Sequence, residues 1–444
     1  MRLLVLLLLI TVNFFHSSAQ VMEEERLVAG PMQGHTTATT TAIWLMVKNA
    51  QEVTLKLKSV ATGEVFSASS NISNTPAYKG NQPVTVYFSN LQPNTEYEAR
   101  IQIDDKEIKR KYTVNTLKEN NNLDFSIMVG SCALWVPRAL RWIHPGTEEW
   151  IYPHMKKAEG DFMLWLGDYL YYFPKHYKSP EGMFRKQFET RKYHMLHMDF
   201  MRSRPQYAIW DDHEYGPNDS DKDFIYKKEA LDLHKLFWAN PTYGEPDNPG
   251  CYFNFSYQDA EFFMTDGRYH RTKEDIEDGE MLGEKQLQWL FGKLKSSTAT
   301  FKFVAIGSQV LNNYSTNESY KLFPKEKKKL MDFLEREKIS GVIFLSGDRH
   351  HTELIKINRE NAYPLYDFTS SAITSFRRRT RRSSERNNVD RIPGTLTDKQ
   401  NYGRISVAGA PGSRVCTLFT YNNRGKLEWE YKISENDLKF FKPE

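Results

Sequence analysis

The chain is 444 residues long, more than one hydrophobic core usually serves, so two folding units are expected. Apolar residues make up 40% and aromatic residues 14%, which excludes a disordered chain. A formal charge of only +4 gives no reason to expect a stable nucleic-acid partner and leaves one local basic run to explain.

The N-terminus reads as an export leader. Arg2 supplies a positive start, Leu3 to Phe15 an almost wholly apolar stretch, and Ser17-Ser18-Ala19 the small residues that precede a cleavage point. Residues 1–19 are expected to be removed, leaving a periplasmic or secreted protein. No later run is long enough to span a bilayer, so no integral membrane anchor is expected. Cys132, Cys251 and Cys416 lead us to expect one disulfide and one leftover thiol in an exported chain.

Residues 27–117 are predicted to form a small all-β domain. Alternating, β-prone runs recur at Thr39 to Val47, Val53 to Leu57, Val84 to Phe88, Tyr97 to Ile103 and Lys111 to Thr116, with Gly, Asn and Pro between them. Leu91-Gln92-Pro93-Asn94-Thr95-Glu96-Tyr97 resembles the tyrosine corner of fibronectin-type sandwiches, and Trp44 is expected to fill the core. Glu119 to Asn122 is a polar linker. From 123 to 435 the pattern changes to apolar strands alternating with helices. The predicted strands are Phe125 to Val129, Phe162 to Leu166, Tyr207 to Trp210, Phe301 to Ile306 and Val342 to Leu345. Gly283 to Leu294 and Lys325 to Glu337 have helical spacing, and residues 251–265 read as a hairpin. This alternation predicts a mixed α/β sandwich with helices over the sheets.

Each of those strands ends in chemistry, where open α/β sheets place ligand sites. The ends are Gly130-Ser131-Cys132, Gly167-Asp168-Tyr169-Leu170-Tyr171, Trp210-Asp211-Asp212-His213-Glu214, Gly307-Ser308-Gln309 and Gly347-Asp348-Arg349-His350-His351. An acidic run that follows directly on an apolar strand is expensive to bury without a cation to compensate it.

On these motifs the chain resembles the alkaline phosphatase D (PhoD-like) group of calcineurin-like metallophosphoesterases, over residues 27 to 432. Leu282-Gly283-Glu284-Lys285-Gln286-Leu287-Gln288-Trp289-Leu290 and Phe368-Thr369-Ser370-Ser371 carry the resemblance further. It implies a four-layer sandwich, helices over two mixed β-sheets, behind a fibronectin-III-like domain. It also implies a metal-dependent hydrolase of small phosphate esters. In that reading a metal-bound hydroxide attacks phosphorus in line, and His213 protonates the leaving oxygen or orients the phosphoryl group. Arg268, just past the hairpin, is expected to clamp phosphate, the alternative being a salt bridge to a loop carboxylate.

Ser131-Cys132 stands where general metallophosphatases carry Asp-x-His, and Gln309 where they carry histidine. Cys132, Tyr171, Asp168 and His350 would then hold one ion, a mixture that suits Fe(III) or Zn(II). Asp168, Asp212 and Asp348 offer only oxygen, which suits Ca²⁺, one ion or two. Asp168 would bridge the two positions. Glu214 is expected to accept from a histidine or water, and His351 to lie behind the ligands or face solvent. Arg377 to Arg382 would either draw in anionic substrates or form a solvated loop. The readings that remain open are a phospholipase D-like phosphodiesterase acting on phosphodiesters or phospholipids and a non-catalytic, calcium-stabilised binding protein.

Overall fold

The computed structural model describes residues 26–136, 150–197, 199–315, 318–375 and 384–440. The export leader and the arginines from Arg377 to Arg382 lie outside these residues. Eight strands come first and form two sheets. β1 (Leu27–Thr36), β2 (Thr41–Lys48) and β5 (Asn81–Phe88) make one. β3 (Glu52–Ser59), β4 (Val65–Asn71), β6 (Glu96–Ile103), β7 (Lys106–Glu107) and β8 (Tyr112–Asn115) make the other. Val53, Leu55 and Leu57 alternate with lysines along β3, and the period of two turns them into a core shared with Ile43, Leu45, Val86 and Ile101. The Tyr97 hydroxyl accepts the Gln92 N–H at 2.8 Å, the backward hydrogen bond expected of that loop.

Trp44 corrects the sequence reading. It sits one place out of phase with Ile43 and Leu45, so the pleat carries it, with Ala42 and Met46, to the opposite face and into the larger core. There its ring meets Phe237 at 5.9 Å and its Nε1 donates to the Leu236 carbonyl at 2.9 Å. The buried Arg191 guanidinium lies against the faces of Trp44 and Trp238, 5.4 and 3.9 Å from their centroids. Trp44 therefore docks the first sheet onto the C-terminal α/β portion instead of filling the small sandwich.

Two six-stranded sheets come after the linker. One runs β11 (Gln206–Ile209), β10 (Met163–Leu166), β9 (Phe125–Gly130), β18 (Asn401–Ala408), β19 (Val415–Asn422), β20 (Leu427–Ser434). The other runs β12 (Phe253–Tyr257), β13 (Ala260–Met264), β14 (Phe301–Ile306), β15 (Val342–Ser346), β17 (Leu365–Thr369), β16 (Glu353–Ile357). β9, β10 and β11 are parallel, as are β13, β14, β15 and β17, while the remaining pairings are antiparallel. The sheets share one core, in which Phe162 meets Phe255 and Phe262, and Phe368 meets Trp429. The mixed α/β architecture is as expected. The hairpin and the five predicted strands of this part are all present.

Among the described residues the longer helices are α1 (Ile151–Lys157), α2 (Pro180–His197), α3 (Lys227–Phe237), α4 (Glu284–Ser296) and α5 (Pro324–Arg336). Leu287, Leu290 and Leu294 form the buried stripe of α4, and its Phe291 stacks on Phe333 of α5 at 4.0 Å. The Glu326 carboxylate of α5 accepts the N–H groups of Met281, Leu282 and Gly283, supplying partners for the backbone that leads into α4.

The carboxyl ends of the parallel strands converge because two glycines permit it. A Cβ on Gly347 would fall 2.5 Å from the Leu166 carbonyl oxygen, and one on Gly307 would fall 2.7 Å from the Asp211 carboxylate carbon. Both contacts bring the ends of one sheet against the ends of the other.

Docking through Trp44 gives the first expected outcome. Trp44→Ala removes a fully buried ring and leaves a cavity between the two parts, so it should lower unfolding stability by about 3–5 kcal/mol. Denaturant unfolding followed by circular dichroism checks this; an unchanged midpoint would refute the docking role.

Candidate metal centre

Four non-glycine residues at the strand ends adopt left-handed backbone: Cys132 (φ +56°), Asp168 (+58°), Asp348 (+61°) and His350 (+54°). That conformation costs about 1–3 kcal/mol per residue and persists where surrounding contacts over-determine it. Here the contacts are clear. Cys132 and Ala133 donate their N–H groups to the Gly167 and Asp168 carbonyls, and His350 donates its own to Ser371 Oγ at 2.9 Å.

Cys132, Asp168, Tyr171 and His350 are brought together. The Tyr171 hydroxyl donates to Asp168 Oδ2 at 3.1 Å and lies 3.5 Å from His350 Nε2. The Cys132 thiol is 3.3 Å from the same Asp168 oxygen and accepts from Ser371 Oγ at 3.1 Å. Asp168 also groups with Asp212 and His213, their potential ligand atoms all within 4.8 Å of one another. His213 keeps some exposure, and its ring lies over Tyr171 at 4.1 Å between centroids. Asp348 joins neither group in this geometry. Its Oδ2 is 3.6 Å from Arg349 Nη1, yet its charge still acts on Cys132 and Asp168.

The electrostatics all lean one way. Burial pushes the Asp168 carboxyl well above the ordinary range, and Asp212, Glu214, Asp211 and Asp348 push it further. Burial followed by Asp168 raises both the Cys132 thiol and the Tyr171 phenol. Asp211 and Asp348 are raised by burial too, with Arg268 and Arg349 opposing. Asp168 Oδ1, Asp212 Oδ1 and Asp211 Oδ2 are buried and find no hydrogen-bond partner. Orphaned carboxylate oxygens beside a thiol, a phenol and an imidazole fit bound cations, because nothing else at hand satisfies them.

Several expected roles change. Arg268 is fully buried: its Nε donates to Asp211 Oδ1 at 2.6 Å, and Nη1 and Nη2 donate to Glu318 at 2.7 and 2.5 Å. Its fork is occupied by carboxylates, so it balances acid charge inside the protein instead of clamping phosphate. Glu214, expected to accept from a histidine or water, is taken up by backbone instead. It takes the backbone N–H groups of Asp168, Tyr169 and Asp211, at 2.7 Å from Asp168, and ties two strand ends together. His351 is buried without solvent contact, 3.3 Å from Glu353 Oε1. Gln309 donates to Glu353 and Thr369, both at 2.8 Å, and Arg391 also pairs with Glu353. No disulfide forms: Cys132, Cys251 and Cys416 are all buried free thiols, which removes the expected bridge.

Three residues escaped sequence reasoning. Glu318 has no motif around it, and only its contact with Arg268 and Arg271 reveals its role. Asp219 donates its N–H to Asp212 Oδ2 at 2.9 Å and groups with Asp212 and Glu318; its closeness to the acidic run was the available signal. Ser375 Oγ lies 3.5 Å from His350 Nε2, on a segment adjoining one that had drawn attention only by resemblance.

Comparison with known proteins bears on the family and the fold. A family model described as PhoD-like phosphatase matches residues 127–413. Alkaline phosphatase D of Bacillus subtilis (strain 168) is 27% identical over 251 residues, 45% of this chain and 42% of the relative's length. The aligned part thus spans less than half of that relative. A solved structure of PhoD superposes with a TM-score of 0.74 at 18% identity, covering 92% of each chain. Purple acid phosphatase PPD1 from yellow lupin (Lupinus luteus) seeds gives 0.66 at 12%, covering 92% of this chain and 75% of its own. Both share the mixed-sheet α/β fold.

The raised carboxyls predict a pH effect in metal-stripped protein. The Glu214 carboxyl rises from 4.5 to about 8, burial being the largest cause. A raised folded-state pKa means stability that is full below about 4.5 and lost as pH climbs through about 8. Chelator-treated protein should therefore melt progressively lower across that window, and divalent cations should restore it. Thermal scans with and without chelator test this; a flat profile would sink the charge argument.

Proposed function

The chain belongs to the PhoD-like phosphatase family, and on that premise we propose that it is an exported, metal-dependent phosphoesterase acting on phosphate monoesters, diesters or both. The observation that carries this reading is the set of orphaned, buried carboxylate oxygens at Asp168 and Asp212, beside Cys132, Tyr171 and His350. Cys132, Tyr171, Asp168 and His350 would hold Fe(III) or Zn(II), and Asp168, Asp212 and Asp348 would hold Ca²⁺. When bound, the ions supply positive charge that acidifies water and neutralises phosphoryl oxygens.

The chain's own residues do the rest. Arg268 and Arg349 partly offset the charges that Asp211 and Asp348 bring to the other carboxylates. Glu214 holds the Asp168 and Asp211 backbones at a set separation. His213, partly exposed and backed by the Tyr171 ring, is suited to deliver a proton to the leaving oxygen.

The leader-like residues 1–19 support export, and among the described residues no helix is long and apolar enough to cross a membrane. The Tyr97–Gln92 hydrogen bond and the two packed sheets support a fibronectin-III-like module over 27–117, ahead of a four-layer catalytic domain over 123–435. Rates on 4-nitrophenyl phosphate and its bis ester decide between monoester and diester.

Two substitutions separate the assigned roles. Asp168→Ala should abolish turnover and bound metal together, whereas His213→Ala should keep the metal and lose about 10²-fold or more in rate. Normal metal content with full activity in Asp168→Ala would end this model. The thiol gives an optical test. A thiolate and phenolate on Fe(III) should give a broad visible band that bleaches on reduction, while zinc gives none. Cys132→Ser should remove or shift that band, since a neutral hydroxyl is a far poorer ligand. A band unchanged in the variant would exclude Cys132 as a ligand.

A further inference from the structure

Lys186 of α2 stands apart from every role assigned so far. It is only 5% exposed, yet among the described residues no ion pair or hydrogen bond reaches its ammonium. Its Nζ lies over the Trp135 and Phe173 rings, 5.3 and 5.9 Å from their centroids. Burial holds the amine down to about 8, and the Glu189 charge only partly opposes this. Beside it, Trp135 Nε1 is a buried donor without a partner, in a ring held by Tyr193 at 4.2 Å.

These donors lie on segments that adjoin the metal centre in the chain. Trp135 is three residues past Cys132 and Phe173 is two past Tyr171. Leu134, Val136 and Tyr171 pack as one cluster. The Leu134 carbonyl accepts from Thr374 Oγ1 at 3.0 Å, and Gln187 of α2 donates to Tyr172 at 3.3 Å. The indole N–H, buried with no acceptor, is costly unless an acceptor arrives from outside, and the ammonium over its ring has no protein acceptor to compete for one.

We propose that Lys186 and Trp135 form a second anion-binding position on the rim of the metal centre, which takes a phosphate, sulfate or carboxylate group carried elsewhere on the ester. It rests on the phosphoesterase reading and adds a preference for esters with a further anionic group. Phe173 is 46% exposed, so the position opens to solvent on that side and an anion can reach the ammonium.

Inhibition constants test it. Thymidine 3′,5′-bisphosphate and thymidine 5′-monophosphate differ by one phosphate, and both can compete with whichever 4-nitrophenyl ester the enzyme cleaves. The bisphosphate should bind about tenfold tighter or better, a gap of about 1.4 kcal/mol. Lys186→Met should erase the ratio, Lys186→Arg should keep it, and Trp135→Phe should reduce it. Taking the ratio within each variant cancels any general loss of activity. Equal inhibition of the wild type, or an unchanged ratio in Lys186→Met or Trp135→Phe, overturns the proposal. If neither 4-nitrophenyl ester is cleaved, the phosphoesterase reading fails instead, and calorimetric titration with the same two nucleotides still decides the anion position.

Discussion

Negative charge packed into a dry place is the constraint on which the rest depends. Asp168, Asp211, Asp212 and Glu214 are all buried, and Asp348 adds its charge from the next strand end. In such surroundings ionised carboxylates must be paired, protonated or bound to cations. The protein divides these outcomes by residue. Asp211 is paired with Arg268, Glu214 is spent on backbone N–H groups, and Asp168 and Asp212 keep oxygens that nothing in the chain satisfies. The incomplete compensation is what makes the cluster a centre and not a salt-bridge network.

The architecture serves that concentration. Parallel strands from two sheets deliver their carboxyl ends to one place, and glycines at 307 and 347 let those ends approach to contact distance. Left-handed backbone at Cys132, Asp168, Asp348 and His350 then turns each side chain inward immediately after its strand. The energy for this local strain comes from a large shared core that continues, through Trp44 and Met32, into the first sheet of the chain. The N-terminal strands thus help to hold the scaffold under the centre.

Charge of the opposite sign is arranged with equal economy. Arg268, Arg271 and Arg349 are buried against Glu318, Asp211 and Glu385, so their donors face protein acids and not solvent. Arg191 and Lys186 differ, being buried cations with aromatic rings for neighbours.

Much of this was legible in the chain itself. Buried parallel strands read as short apolar runs, so Phe125 to Val129 and Val342 to Leu345 were visible, as was the chemistry directly after each. The gathering of Cys132, Asp168, Tyr171 and His350 followed from those positions. The antiparallel strands β18 to β20 went unread because polar residues such as Arg404 and Glu430 interrupt their apolar pattern. Local sequence determined which residues stand at strand ends, because the backbone carries them there within a few residues. Only the tertiary structure decided which face Trp44 takes, that Glu318 claims Arg268 from 50 positions away, and that Asp348 turns toward Arg349. Those outcomes depend on which charges and surfaces meet across the fold, and a linear pattern holds no record of distance between remote residues.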